Sequence, residues 1–263
     1  MSPSLVHCAH LSAVSWAAES ACSYQDNWAV FRLPLAQCAA LVPHAGQWLS
    51  ADEQLRADRY LQPADRLRFV GARMALRGIA GRYTGQYPGR IVLTTGTHGK
   101  PELAGTSGWH VNVGHTGDWV LLAVGRGPVG VDAEWLNPDF PYADLLPHSF
   151  GPAEQDWLRQ QSDPRRAFYT LWTRKEALVK ATGIGMTDDL PRIPALDGTH
   201  AVADQWLGTA GTWAVRSFAV TDAYPAAVAY QSDARTPDAR TPDSRTLRFY
   251  ALDAPSLLRT DSI

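Results

Sequence analysis

Lysine is scarce in this sequence: only three of its 24 basic side chains are lysines, at positions 100, 175 and 180. Arginine supplies the rest of the positive charge. An ammonium is a compact point charge that suits a single phosphate oxygen or a crowded metal site, whereas a guanidinium is a broad planar fork. The three lysines are therefore candidates for chemistry, and chance placement is the competing explanation.

Cysteine is equally rare, and Cys8, Cys22 and Cys38 show no metal-ligand spacing. No apolar run approaches the ~18 residues that a membrane-spanning helix needs. Residues 1–23 lack the basic segment that precedes the apolar part of a secretion signal. We therefore expect a protein of the reducing cytoplasm that has no membrane partner.

Acidic and basic side chains nearly balance at a net charge of −2, which argues against bulk binding of nucleic acid. The balance is lost over 56–90, which contains only two acids. The same segment contains eight arginines: Arg56, Arg59, Arg66, Arg68, Arg73, Arg77, Arg82 and Arg90. This excess suits a small polyanionic ligand or an acidic partner surface, and a solvated basic face is the alternative.

A length of 263 residues allows one large domain or two halves of roughly 100–130 residues. Alternating polarity and turn residues predict strands over 27–35, 91–95, 109–113, 119–124, 129–135, 212–220 and 224–230. Helical spacing and capping signals predict helices that start after Ser50 and Gly151 and others over 64–83 and 165–181. The order strand, helices, strands thus occurs twice, which predicts an α+β fold of two similar halves, 1–125 and 126–232.

The composition changes after Tyr230 to a five-residue repeat of small, charged and proline residues over 233–246. Such a segment gains too little from burial to offset the cost of ordering it. We therefore predict that 233–263 is a flexible repeat and tail, and that deleting 233–246 leaves ligand affinity unchanged. The segment 247–252 has a second interpretation, an edge strand that uses the repeat as a loop.

Two carboxylates, Asp132 and Glu134, are two residues apart in the predicted strand 129–135. Side chains alternate along a strand, so these two share a face with Cα atoms roughly 6.6 Å apart. Neighbouring carboxylates repel unless a cation lies between them, and hard oxygen ligands at this spacing suit Mg²⁺. An exposed strand face with two solvated acids is the alternative.

Glu176 and Lys180 are one turn apart at the edge of the apolar face of the predicted helix 165–181. In solvent such a pair contributes on the order of a few tenths of a kcal/mol; beside a buried face it is a better site candidate. Lys175 falls within the apolar side, which indicates that its ammonium has a partner elsewhere.

His115 and Thr116 lie in the turn after the predicted strand 109–113. Turn amides and small residues allow a phosphate to approach closely, so both residues are candidates for phosphate contact. The alternative is that the histidine is simply exposed.

Four segments recur in a fixed order: Gly99-Lys100-Pro101, Asn112-Val113-Gly114-His115, Gly130-Val131-Asp132-Ala133-Glu134, and Trp172-Thr173-Arg174-Lys175-Glu176-Ala177-Leu178-Val179-Lys180. Together they resemble the 4′-phosphopantetheinyl transferases of the surfactin-synthetase-activating type, over about Trp28 to Tyr230. The last two segments form a highly specific pair. The Lys-Glu-Ala form of the last segment is similar to the subgroup that often serves secondary-metabolite synthases.

The resemblance implies the two-part fold of that family, with the ligand at the junction of the halves. It also implies that Asp132, Glu134 and Glu176 hold Mg²⁺ at the pyrophosphate of coenzyme A. Lys180 would neutralise charge on the transferring phosphate. Glu176, or a water that it holds, would be the catalytic base.

For the nucleotide part of coenzyme A, the resemblance implies contacts from Lys100, His115 and Arg56, with Arg73 as a weaker candidate. Members of the family often have serine before the histidine, whereas this chain has Gly114. One hydroxyl contact is therefore missing, and Thr116 either replaces it or leaves it unmade.

The implied reaction transfers 4′-phosphopantetheine to a serine of an apo acyl or peptidyl carrier protein of a polyketide or nonribosomal peptide synthase, releasing 3′,5′-ADP. We expect a monomeric enzyme. Glu154 is a second candidate base, although its place in the first turn of a helix gives it a structural explanation.

Two other classes of function remain open. A non-catalytic module that binds coenzyme A or a carrier protein would have a broken carboxylate set, and here the set is intact. A metal-dependent phosphoesterase would usually need a second His and Asp cluster, and the eight histidines form none.

Overall fold

The computed structural model describes residues 3–105, 108–185, 187–232 and 247–259. Its strands are β1 (Ser4–His10), β2 (Ala17–Ala18), β3 (Trp28–Pro34), β4 (Leu93–Thr95), β5 (Pro101–Leu103), β6 (His110–Thr116), β7 (Trp119–Gly125), β8 (Val129–Ala133), β9 (Gly198–Val202), β10 (Thr212–Thr221), β11 (Tyr224–Gln231) and β12 (Leu247–Ala251). Its helices are α1 (Leu35–Cys38), α2 (Ala45–Trp48), α3 (Ala51–Asp58), α4 (Pro63–Thr84), α5 (Leu146–Ser149), α6 (Pro152–Arg159), α7 (Pro164–Thr182), α8 (Asp204–Leu207) and α9 (Ala254–Leu258). Across these described ranges, none of the helices has the length and apolar character needed to cross a membrane.

The two halves share one connectivity. In the first half β3 is followed by the long helix α4 and the hairpin β6–β7, in the sheet order β3-β7-β6. In the second half β8 is followed by α7 and the hairpin β10–β11, in the order β8-β11-β10. In each case the last strand lies between the other two. The predicted α+β fold of two similar halves is confirmed.

The core has four layers: α4, the first sheet (order β2-β12-β3-β7-β6), the second sheet (order β8-β11-β10-β1-β9) and α7. Along β3, Phe31 packs with α4 whereas Val30 packs in the cluster between the sheets. Along β8, Val131 lies in the same central cluster. Because strand side chains alternate, its neighbour Asp132 is on the α7 side of the sheet.

Capping chemistry sets the helix boundaries as predicted. The Glu53 amide donates to Ser50 Oγ at 3.3 Å and the Ser50 amide donates to Glu53 Oε2 at 3.0 Å, which is a complete capping box. At the end of α4, Gly85 adopts a left-handed conformation with φ 65° that favours glycine.

The predicted division into 1–125 and 126–232 needs correction, because each half includes a strand from the other end of the chain. β1 pairs in parallel with β10 in the second sheet, and β12 pairs in parallel with β3 in the first. β1 escaped prediction because polar residues interrupt it, and Val6 and Cys8 are its main buried apolar side chains.

The predicted flexible tail over 233–263 is wrong for 247–258. β12 covers the edge of β3, Tyr250 stacks on Phe31 with ring centroids 5.3 Å apart, and Leu257 of α9 is buried. The apolar side chains of 247–258 gain enough from burial to order this part of the chain. Residues 233–246, on which the deletion prediction rests, lie outside the described residues.

Candidate active site

An ion pair joins the helix that holds the predicted catalytic residues to the strand that holds a predicted metal ligand. Lys180, in the last turn of α7, places its Nζ 2.6 Å from Oδ1 of Asp132 on β8. Asp132 is only 5% exposed, and its second oxygen, Oδ2, is buried without a hydrogen bond from any described residue. A buried carboxylate oxygen is costly unless it is paired, so Oδ2 marks a place for a cation or a donor.

Gly130 allows this approach of helix to strand. A Cβ at position 130 would lie 2.2 Å from the Ala177 carbonyl oxygen and 2.4 Å from the Ala181 amide nitrogen, both in the backbone of α7. Only glycine therefore lets α7 lie directly on β8 with Lys180 opposite Asp132.

Glu134 and Glu176 complete a cluster of three carboxylates. Burial and the nearby charges of Asp132 and Glu176 raise the pKa of Glu134 to about 7. Burial and the charge of Asp132 also raise the pKa of Glu176. Thr116 Oγ donates to Glu134 Oε2 at 3.4 Å and accepts the Trp135 amide at 3.3 Å. Among the described residues, Glu134 thus faces one hydroxyl donor, the attracting ammonium of Lys180 and two repelling carboxylates.

The cluster has more carboxylates than ammonium groups. Burial raises the pKa of Asp132 although the Lys180 ammonium opposes it. For Lys180, burial acts to lower the pKa, but the attraction of Asp132, Glu176 and Glu134 outweighs it and the net pKa is raised. One ammonium thus faces three carboxylates.

The chemistry of the donor set, rather than its present arrangement, fits Mg²⁺. Three carboxylates supply hard oxygen ligands, their mutual repulsion favours an added cation, and Asp132 Oδ2 is unpartnered among the described residues. As they lie, no three His, Cys, Asp or Glu side chains of the described ranges are arranged around one ion position. The Lys180 ammonium occupies the Oδ1 side of Asp132 instead.

The edge strands β6 and β8 meet at the junction of the halves. The Asn112 side chain accepts the Val131 amide through Oδ1 at 2.8 Å, a link between the two sheets. A Cβ at Gly114 would lie 3.0 Å from the Val131 carbonyl oxygen, so a serine there would need a small shift of β8. In place of a hydroxyl at 114, the Thr116 hydroxyl reaches the carboxylate cluster.

Two cavities border the first half of this junction. His115 and Thr116 line one of 270 Å³ together with Phe69. Arg56 and Arg73 line one of 430 Å³, again with Phe69. The guanidinium carbons of Arg56 and Arg73 are 5.1 and 5.6 Å from the Phe69 ring centroid. Four of the predicted nucleotide contacts, Arg56, Arg73, His115 and Thr116, thus line cavities that share the Phe69 ring.

The structure gives Lys100 different partners from the predicted ones. Its Nζ donates to the carbonyl oxygens of Lys180, Val129 and Ala181 at 2.7, 3.1 and 3.2 Å. Burial lowers the pKa of Lys100 to about 8. Lys100 does line a 310 Å³ cavity together with Glu176 and Lys180, so the structure brings the two halves together there as predicted.

Lys175 and Glu154 form a buried structural pair. Lys175 is fully buried, and its Nζ lies 2.7 Å from Glu154 Oε2 and donates to the Leu190 carbonyl at 2.9 Å. Glu154 also accepts the amides of Gly151 and Ala195. This pair supplies the expected partner for Lys175. Since its oxygens are committed to these contacts, Glu154 is not a base, and its alternative role is corrected to a structural one.

Sequence reasoning gave Phe69 and Glu53 no role at the candidate site, although both contact the arginines there. Glu53 Oε2 accepts Arg77 Nε at 2.8 Å, and Glu53 Oε1 is 3.8 Å from Arg73 Nε. In the sequence, the capping box already accounts for an acidic residue at position 53, so nothing there pointed to a contact with arginines. For Phe69 a signal was present, because it is an aromatic residue inside an arginine-rich helix.

Two family models match consecutive parts of the chain. The model described as "4'-phosphopantetheinyl transferase, N-terminal" matches residues 39–126, and that of the "4'-phosphopantetheinyl transferase superfamily" matches residues 128–229. Both halves of the fold are thus covered, including the strand and helix that hold the carboxylate cluster.

Curated relatives agree with these matches. The chain is 34% identical over 210 residues to the 4′-phosphopantetheinyl transferase HetI of Nostoc sp., which covers 78% of this chain and 87% of that protein. It is 32% identical over 151 residues to psf-1 of Bacillus pumilus, 56% of this chain and 64% of that protein. It is 26% identical over 142 residues to Sfp of Bacillus subtilis, 53% of this chain and 62% of that protein. The chain belongs to the 4′-phosphopantetheinyl transferase family.

Proposed function

We propose that this protein transfers the 4′-phosphopantetheine group of coenzyme A to a serine of an apo carrier protein and releases 3′,5′-ADP. The observation that carries the proposal is the cluster of Asp132, Glu134, Glu176 and Lys180 at the junction of the halves. Thr116, which contacts Glu134, connects this cluster to a groove formed by the two cavities around Phe69, lined by His115, Thr116, Arg56 and Arg73. Family membership supports the same conclusion.

The cavities around Phe69 suit the ligand by charge and by their aromatic face. The Arg56 and Arg73 guanidiniums around Phe69 offer cations for a 3′-phosphate and an aromatic face for a base. The cavity of His115 and Thr116 shares Phe69 with the arginine cavity. We assign the nucleotide to this side and the pyrophosphate to the carboxylate side.

The reaction is an in-line displacement at the phosphorus that bears the pantetheine. The serine oxygen forms a bond to that phosphorus, the bond to the bridging oxygen breaks, and the bridging oxygen leaves on 3′,5′-ADP. Glu176 takes the serine proton, directly or through water; burial and the charge of Asp132 raise its pKa, which makes it a stronger base than a solvated carboxylate. Lys180 stabilises the negative charge that develops on the transferred phosphate.

Asp132, Glu134 and Glu176 would hold Mg²⁺. Such an ion would supply a further positive charge at the pyrophosphate. The chain's own contributions are the carboxylates that bind it, the Thr116 hydroxyl that orients Glu134 and the glycine that lets α7 approach.

We further propose that the carrier proteins belong to polyketide or nonribosomal peptide synthases, in keeping with the surfactin-type motifs, and that one chain suffices because both sides of the groove come from it. A cytoplasmic setting agrees with Cys8, Cys22 and Cys38, which are all buried free thiols.

Mass spectrometry of an apo carrier protein after incubation with this protein, coenzyme A and Mg²⁺ tests the proposal. The expected result is a mass increase of one phosphopantetheine on the conserved-site serine of the carrier, which a serine-to-alanine carrier lacks. Tight coenzyme A binding without any mass increase would support the non-catalytic binding module instead.

A further inference from the structure

Lys100 lies at the tip of the short hairpin formed by β4 and β5 of the first half, and its side chain reaches the second half. It directly precedes β5, and its ammonium contacts the carbonyl of Val129 at the start of β8 and those of Lys180 and Ala181 at the end of α7. These are the two elements from which the carboxylate cluster and its lysine extend. A single side chain therefore joins the first half to both.

The C-terminal end of a helix needs a hydrogen-bond donor from outside the helix. The last four carbonyls of a helix accept no hydrogen bond from its own backbone, and the partial negative charge there favours a cation. Lys180 and Ala181 are two of the last four residues of α7, and Gly183 donates only to Val179, at 2.9 Å. The Lys100 ammonium donates to the carbonyl oxygens of Lys180 and Ala181, which follow Val179 in the helix.

The hairpin makes a second contact with the segment after α7. The His98 ring lies so close to Gly185 that a Cβ there would come within 2.7 Å of it. Both residues have positive φ, 59° for His98 and 78° for Gly185. The hairpin is thus seated on the end of α7 at two points.

An ammonium has three N–H donors, and three carbonyl oxygens lie within 3.2 Å of this one. No donor is left for a phosphate oxygen while these contacts stand. The acceptor at 2.7 Å is the carbonyl of Lys180 itself, whose side chain lies at Asp132.

We propose that the Lys100 side chain is a positioning group that fixes the last turn of α7 on β8 and so holds the Lys180 ammonium at Asp132, and that its ammonium does not bind the phosphates of coenzyme A. This inference rests on the proposed transferase activity. A loosened last turn would misplace Lys180, and a displacement of about 1 Å can cost on the order of 100-fold in rate.

The test compares Lys100→Gln with Lys100→Met. Both remove the charge, but glutamine keeps two N–H donors and methionine keeps none. The single-turnover transfer rate at saturating coenzyme A should fall in the order wild type, Lys100→Gln, Lys100→Met, with a total loss of roughly 10- to 100-fold. The dissociation constant of coenzyme A, from isothermal titration, should change by less than about twofold.

Glu102→Gln is the matched control, since Glu102 is exposed on the same hairpin and its removal leaves the three carbonyl contacts in place. Its transfer rate should equal that of wild type. If Lys100→Met does not fold, Lys100→Gln against wild type still gives both readouts.

A ligand contact would give the opposite pattern: equal weakening of coenzyme A binding in both Lys100 variants, with the rate at saturation unchanged. That result, or no change in either quantity, overturns the inference. A wild-type protein that binds coenzyme A but transfers nothing would instead overturn the proposed function, so the two failures are distinguishable.

Discussion

Lys180 and Asp132 form an ion pair, with Nζ 2.6 Å from Oδ1, across the contact between α7 and β8. Asp132 Oδ2 is buried and has no hydrogen-bond partner among the described residues. The carboxylate therefore binds Lys180, the lysine that we propose is catalytic, with one oxygen, and its other oxygen is open to a cation. This arrangement makes Asp132 the residue on which both charge-stabilising groups depend.

Asp132→Ala should abolish transfer while the fold remains. The substitution removes a predicted metal ligand and the partner of Lys180, and loss of a preorganised charge contact costs roughly 10²- to 10³-fold in rate. Mass spectrometry of the carrier protein measures transfer, and circular dichroism checks the fold. Asp222→Asn, at an exposed turn, should transfer at the wild-type rate. Wild-type turnover that persists in EDTA would contradict the metal role.

Gly130→Ala should destabilise the protein and displace α7. The added methyl would meet the Ala177 carbonyl at 2.2 Å and the Ala181 amide at 2.4 Å, and these are backbone atoms that cannot move aside alone. Overpacking of this kind costs about 1–3 kcal/mol or more in the free energy of unfolding. Gly46→Ala, where nothing lies within 4 Å, should be neutral or slightly stabilising in the same urea titration. Equal stability of the two variants would refute the close helix–strand contact.

The stabilisation by Mg²⁺ should increase with pH. The pKa of Glu134 is raised from 4.5 to about 7 in the folded metal-free protein. Its contribution to stability is therefore fully retained below about pH 4.5 and is lost as the pH rises through about 7. Mg²⁺ binds the ionised carboxylate and relieves this loss.

Thermal unfolding at pH 5.5 and pH 8, with Mg²⁺ or with EDTA, measures the effect. The rise in Tm on adding Mg²⁺ should be larger at pH 8, and Glu134→Gln should reduce that difference. The same rise at both pH values in the wild type would mean that Glu134 does not titrate in competition with the metal.

The sequence predicted what depends on local pattern and missed what depends on chain topology. Strand alternation placed Asp132 on one face and helical spacing placed Glu176 beside Lys180, and both follow from backbone geometry. The positions of β1 and β12 do not follow from local backbone geometry, because the strands that they pair with lie about 200 residues away in sequence.

The role of Lys100 was also beyond sequence reasoning. A motif shows that a lysine stands at a position, but its ammonium reaches a phosphate or a carbonyl according to what the second half of the chain presents. Lys175 shows the same limit, since only the fold places it opposite Glu154.

Lys175→Met should unfold the protein at much lower urea concentration, because it leaves the Glu154 carboxylate buried without its cation. Breaking such a pair costs about 3–5 kcal/mol. Adding Glu154→Gln to Lys175→Met should recover part of this loss, since the unpaired charge is gone. The folded double variant should still transfer phosphopantetheine; loss of activity in a stable double variant would mean that the pair has a catalytic role.

Removal of 233–263 should destabilise the first half rather than trim a dispensable tail. The truncation uncovers the edge of β3 and removes the buried side chains of Leu247, Tyr250 and Leu257. Burial of a large apolar side chain contributes about 1.5–3 kcal/mol, so the loss is of the same order as the whole stability of a typical domain.

Leu257→Ala separates packing from chain length in that experiment. It keeps the full chain but removes the contact in which Leu257 meets α4 beside Gly78, where an added Cβ would lie 2.7 Å from Leu257 Cδ1. A loss of about 2–5 kcal/mol is expected, as for other buried leucines. Urea denaturation followed by tryptophan fluorescence measures all three proteins. If the truncated chain and Leu257→Ala both unfold at the wild-type midpoint, β12 and α9 do not belong to the core of the first half.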